Sequence, residues 1–290
     1  MTQEIVKFYA TDGITLDGYI NKCENNTNKI LIQTHGMTSN CFKYKANAIS
    51  NEVLKNGIDS LCYNNRGSEI AKFIKGKDGV VRLGGSAYEE ISESYYDICG
   101  AIQFALDRGY TDIYLQGHSL GSTKTVYAYN RLLKENNELA SHVKALILLS
   151  LVDLPMVVKY YGKDYLEYAK EKMEKGEGNS MIAPDAFPYP LSVKVFLRYA
   201  TNNGDIDFAK FGNEEDDFEV LNSFKIPLFF RWGNVEEILS LDVEKQVDFI
   251  KRKIHNDKLD ASFIDGANHS YFGKEEQLAK EIAEFLNKNI

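Results

Sequence analysis

The sequence predicts an α/β domain, a mostly parallel central sheet flanked by helices, and three observations point to it. Short apolar runs bounded by polar residues, such as KILIQT at 29–34, read as strands buried on both faces. Longer amphipathic stretches alternate with these runs, the mark of strand–helix–strand units. The length of 290 residues, with 44% apolar and 26% charged residues, suits one such domain carrying an insertion.

In chain order, residues 5–9 and 16–20 flank Thr11-Asp12-Gly13 and read as an antiparallel hairpin. The buried strand at 29–34 follows, then a helix over about 42–55 ending at Asn56-Gly57, a plausible C-cap. A strand at 60–63 turns out through Asn64-Asn65-Arg66-Gly67. Residues 68–86 break the alternation: apolar pieces at Phe73-Ile74 and Val80-Val81 around Lys77-Asp78-Gly79 suggest a small excursion hairpin. Helix 87–107, strand 113–116, helix 119–134 and strand 143–150 restore it. Residues 152–222 depart again, rich in tyrosine, phenylalanine, proline and charge, and read as a helical cap inserted before the penultimate strand. Strand 227–232, helix 241–253, strand 261–264 and helix 274–287 complete the pattern. The expected division is a core of 1–151 and 223–290 with a cap of 152–222.

A net charge of −8 argues against a nucleic-acid or anionic-membrane surface. The four cysteines, Cys23, Cys41, Cys62 and Cys99, form no C-x-x-C pair and read as free thiols. No secretory signal pattern opens the chain and no apolar run is long enough to span a bilayer, so a cytoplasmic setting is expected. The five histidines are scattered, with no H-E-x-x-H spacing, so neither a metal nor an organic cofactor is implied.

Gly117-His118-Ser119-Leu120-Gly121 matches G-x-S-x-G between a strand and a helix. The turn there is so sharp that side chains at Gly117 or Gly121 would collide with backbone, and the serine is thrust out above the sheet. Gly121-Ser122-Thr123-Lys124 resembles a phosphate loop, but its lysine follows the hydroxyl residues, so nucleotide binding is rejected. A serine nucleophile needs a base. His35 and His118 lie in glycine-flanked motifs, and His142 and His255 sit at element ends. His269 remains, directly after the last predicted strand, in the chain order serine, acid, histidine. The acid belongs after PLFFRW, where Gly233-Asn234-Val235-Glu236-Glu237 stands. Glu236 occupies the expected G-x-x-acid position and is the first choice; Glu237 beside it and Asp153, one strand earlier, stay open. The backbone amides of Met37, in His35-Gly36-Met37, and of Leu120 are the expected pair of oxyanion donors.

The stretches YNNRG at 63–67, GGSAYEEISESYYDICGAIQF at 84–104 and DIYLQGHSLGSTKTVYAY at 112–129 resemble a little-characterised branch of the α/β-hydrolase superfamily. That branch includes fungal enzymes hydrolysing hydroxamate siderophore esters. The similarity spans roughly 30–150 and the motifs at 227–237 and 264–269, and leaves the cap uncovered. The resemblance implies the α/β-hydrolase fold and a triad of Ser119, His269 and a carboxylate at 236 or 237, with glutamate where aspartate is usual. The sequence thus predicts ester cleavage through an acyl-enzyme, on a small-molecule ester with an apolar or aromatic part. The rivals are amide or thioester hydrolysis or acyl transfer on the same residues, and a non-catalytic ligand-binding protein of this fold.

Overall fold

The computed structural model describes residues 2–201 and 206–289; Met1, Ile290 and residues 202–205 of the expected cap lie outside the described residues. Strands β1 (Thr2–Tyr9), β2 (Thr15–Lys22), β3 (Lys29–Thr34) and β4 (Asp59–Asn64) begin the main sheet, with helix α1 (Tyr44–Leu54) between the last two. Strands β5 (Lys72–Lys75) and β6 (Val81–Gly84) form the separate excursion hairpin. Helix α2 (Ser94–Leu106), strand β7 (Asp112–His118), helix α3 (Leu120–Lys134) and strand β8 (Val143–Leu149) follow. Helices α4 (Leu154–Tyr161), α5 (Leu166–Glu174), α6 (Val193–Ala200) and α7 (Glu219–Ser223) separate β8 from β9 (Leu228–Gly233). Helix α8 (Val243–Lys253), strand β10 (Leu259–Ile264) and helix α9 (Glu275–Asn289) complete the chain.

The eight-stranded sheet has the order β1-β2-β4-β3-β7-β8-β9-β10. Pairing is antiparallel for β1 with β2 and β2 with β4, and parallel from β4 to β10. Both faces are covered. Ile30, Ile32, Leu115, Leu146 and Leu148 face a core shared with α2, α3 and α8, while Leu31, Tyr114, Ile147 and Phe229 face α1 and α9. That two-sided burial is why these strands read as unbroken apolar runs rather than alternating ones.

The stretch between β8 and β9 divides in two. Val152, Leu154, Val157, Ala169, Phe187, Leu191 and Phe196 build a second apolar core from α4, α5 and α6. Phe208, Phe211, Phe218 and Leu221 instead join the core beneath the sheet, where Phe211 meets Trp232 edge-on at 5.6 Å. Among the described residues, the change from one core to the other therefore falls between Ile206 and Phe208. Aromatic richness alone does not distinguish these two cores, because both need large apolar side chains.

Among the described residues, no helix is long and apolar enough to cross a membrane. Cys23, Cys41, Cys62 and Cys99 are all free thiols.

Candidate active site

The tight turn between β7 and α3 is held by missing side chains. A Cβ on Gly117 would lie 2.3 Å from the Gly121 carbonyl oxygen, and one on Gly121 would lie 2.3 Å from that of Thr34. Ser119 sits between them at φ 56° and ψ −126°, a region that non-glycine residues avoid and that costs about 1–3 kcal/mol. Its amide donates to the Leu149 carbonyl at 2.8 Å, and Ser122 Oγ donates to the same oxygen at 2.8 Å. These bonds tie the turn to β8 and hold the strained residue in place.

The hydroxyl of Ser119 donates to His269 Nε2 at 2.9 Å, and His269 Nδ1 donates to Glu237 Oε1. The Glu237 side chain is fully buried although its backbone is not, and the His269 side chain is 17% exposed. Glu237 Oε2 accepts from Ser150 Oγ at 2.7 Å and from the Gly233 amide at 3.0 Å. Ser150 Oγ lies 3.0 Å from the Tyr271 hydroxyl, which donates to the Arg231 carbonyl at 2.7 Å. Such a series can move a proton from the serine oxygen to the imidazole while the carboxylate fixes the ring's tautomer.

The structure brings Glu237, not Glu236, to the His269 imidazole. Glu236 adopts φ 47°, a left-handed residue that turns the chain back on itself. Its own side chain is left in solvent, and the next carboxylate is delivered under the Gly233 amide. Asp153 is elsewhere in function: it caps α4, its Oδ1 accepting from the Met156 amide at 2.9 Å.

Burial pushes the Glu237 pKa up. The hydrogen bond and charge of His269, with the Gly233 amide and Ser150 hydroxyl, outweigh burial and hold it below the ordinary glutamate value. A carboxyl whose pKa is lower in the folded chain adds stability above about pH 4.3, which is lost as pH falls through the native value. Denaturant titrations between about pH 3 and 6 should accordingly give a shallower pH dependence for Glu237→Gln than for the parent.

The predicted donor loop also comes to the serine. A Cβ on Gly36 would meet Ser119 Cβ at 3.0 Å and the His118 carbonyl oxygen at 2.8 Å, so only glycine lets this loop approach. The side chains of Met37 and Leu120 belong to one apolar cluster, and among the described residues neither amide has an acceptor. Leu120 is the first residue of α3, where helix amides are unsatisfied and the dipole favours negative charge.

Sequence reasoning overlooked two groups. Burial, with nearby Lys45 and His269, holds His118 well below the ordinary imidazole value, so it is neutral. Its Nε2 then donates to the His269 carbonyl at 2.7 Å and fixes that loop. Ser150, the second, ends an otherwise apolar run, and that lone hydroxyl was its only signal. His35 is also neutral, its pKa lowered to about 3 by burial and by Lys124, and its Nε2 accepts from the Asn65 amide at 3.3 Å. Among the described residues, no group of three histidine, cysteine, aspartate or glutamate side chains is placed to hold a metal.

No protein-family model matches the chain, and no curated protein matches it significantly. Solved structures do. The chain is similar to GrgF, an alpha/beta hydrolase from Penicillium sp. sh18, at TM-score 0.71 and 15% identity, covering 100% of this chain and 99% of that one. Est1E from Butyrivibrio proteoclasticus with ferulic acid bound gives TM-score 0.65 and 20% identity, covering 97% and 98%. A soluble variant of the monoglyceride lipase of Saccharomyces cerevisiae, bound to a substrate analog, gives 0.67 and 14%, covering 100% and 95%. These likenesses run the whole length of the chain and establish the α/β-hydrolase fold.

Proposed function

We propose that the protein is a serine hydrolase that cleaves a carboxylic ester of a small molecule. The observation that carries this reading is the hydrogen-bonded series Ser119–His269–Glu237 at a strained strand–helix turn. His269 takes the Ser119 proton as the oxygen attacks the carbonyl, and Glu237 stabilises the imidazolium that forms. The Met37 and Leu120 amides receive the oxyanion, a contribution of about 3–4 kcal/mol per donor in comparable sites. The imidazolium protonates the leaving alcohol, and water activated by the same histidine releases the acid.

In this reading the cap is the insertion of 152–222, whose apolar layer is built by α4, α5 and α6. Its apolar cluster reaches Leu120 and Met37, which supports a substrate with an apolar or aromatic part. Ferulic acid on Est1E, an aromatic carboxylic acid on a neighbour of the same fold, accords with that class. The free thiols agree with a cytoplasmic setting.

A fluorophosphonate probe should label Ser119 and stop hydrolysis of p-nitrophenyl esters, assayed as a chain-length series beside a siderophore ester. Absence of labelling would favour the non-catalytic, ligand-binding alternative. Faster turnover of amides, thioesters or an alcohol acceptor would favour the other chemistries. Glu237→Gln should cut kcat about 10⁴-fold, as when a triad acid loses its charge. Glu236→Gln should stay within about twofold of the parent, because its exposed side chain makes no contact worth more than a few tenths of a kcal/mol.

A further inference from the structure

Each oxygen of the buried Glu237 carboxylate accepts two hydrogen bonds. Oε1 accepts from His269 Nδ1 and from the Ile238 amide at 2.9 Å. Oε2 accepts from the Gly233 amide at 3.0 Å and from Ser150 Oγ at 2.7 Å. Such a set fills the lone-pair positions of a carboxylate and leaves it no freedom to turn. Gly233 and Ile238 donate from the acid's own loop, whereas Ser150 reaches across from the residue after β8. Its hydroxyl has one proton and a second neighbour, the Tyr271 hydroxyl at 3.0 Å. The phenol carries a proton of its own and the carboxylate carries none, so the serine proton goes to Glu237.

The backbone at Ser150 is strained. It adopts φ 46°, in the left-handed region where glycine is at ease and serine is not. The residue is completely buried, so the side chain gains nothing from water. A turn of this shape by itself favours glycine, and the hydroxyl alone accounts for serine here. The neighbouring bonds place that hydroxyl with care. The Ser150 amide donates to the Arg231 carbonyl at 2.7 Å, and the preceding carbonyl, of Leu149, accepts from the Ser119 amide at 2.8 Å.

We infer that Ser150 is a positioning residue of the proposed hydrolysis, whose hydroxyl holds the Glu237 carboxylate in the rotation that presents Oε1 to His269. Its effect on turnover rests on that proposed reaction, while the contact itself does not. Without the hydroxyl, Oε2 keeps only the Gly233 amide in a space closed to water, and the carboxylate is free to swing away from the imidazole. His269 then takes the Ser119 proton without a fixed partner.

Ser150→Gly, which relieves the turn, and Ser150→Ala, which keeps its geometry, test this beside the parent. On a p-nitrophenyl ester both should lower kcat about tenfold or more and leave KM within about twofold. Ser150→Gly should melt within about 5 °C of the parent, so the loss of turnover is not a loss of fold. Carbon-13 spectra of glutamate-labelled protein read the contact without turnover, with Glu237→Gln assigning the signal. A hydrogen bond to the charged form lowers a carboxyl pKa, so the Glu237 titration should move to higher pH by about half a unit or more in both variants. The other charged or titratable groups around it, His269, His118, Arg231, Tyr271 and Lys45 with its Nζ over the Tyr271 ring, stay in place in both. Should one variant fail to fold, the other decides. Parent values of kcat or of the Glu237 titration in a folded variant would overturn the inference, as would a raised KM at unchanged kcat. A parent that neither reacts with a fluorophosphonate nor turns over would remove the hydrolysis reading instead, and the Glu237 titration would still decide whether Ser150 holds the carboxylate.

Discussion

Ser119→Ala and His269→Ala should each lower kcat about 10⁶-fold, and the double variant should be scarcely worse than either alone. The non-additivity follows from geometry. The imidazole has one task, to take the proton of the hydroxyl 2.9 Å from it, and without that hydroxyl its basicity has no object. Residual activity should remain about 10³–10⁴-fold above the uncatalysed rate, because the Met37 and Leu120 amides are backbone and survive both substitutions. Steady-state kinetics on a p-nitrophenyl ester, with the three variants purified in parallel, check this. An additive double variant would mean that His269 acts on something other than Ser119.

Lys124→Met should destabilise the fold by about 3–5 kcal/mol, the cost of stranding a buried charge. Lys124 lies one turn beyond Ser119 on α3 with its side chain 1% exposed, and its ammonium donates to Glu89 at 2.5 Å. Burial pushes the Glu89 pKa up even with this partner present, and its Oε1 has no hydrogen bond. Taking the lysine away leaves a carboxylate that must be desolvated unpaired or take up a proton. Glu89 is also hemmed in, since a Cβ on Gly67 would come 1.7 Å from its Oε2. The melting temperature should fall by roughly 10 °C, and Lys124→Met combined with Glu89→Leu should recover much of the loss. Thermal unfolding of the two variants beside the parent measures both effects. A single variant as stable as the parent would show that water reaches Glu89 freely.

The sequence carried the sheet because both its faces are buried: apolar runs such as KILIQT and ALILL have few other readings. The meeting of Ser119 and His269 was legible because the glycines around the serine are steric necessities and topology left one histidine after the last strand. Which carboxylate meets the imidazole was less legible. Choosing between Glu236 and Glu237 depends on a single left-handed residue in a loop, and glutamate gives no sign that it will adopt φ 47°. Which core the residues after 206 join was hidden for another reason. Phe208 and Phe211 serve the main core, and composition does not reveal which of two apolar cores an aromatic ring enters. The Lys124–Glu89 pair joins residues 35 apart in the chain, and nothing local to either announces the other.

The apolar cluster of α4, α5 and α6 includes Leu120, next to Ser119, and Ile91, which precedes α2. The helices above the site are thus no detachable module. Excising them would strip the cover from the strained turn itself, and grafting them onto another scaffold would leave their inner face without its floor. Single side-chain exchanges within that shared cluster are therefore the way to reshape the space above Ser119, since replacing the whole layer would dismantle its packing.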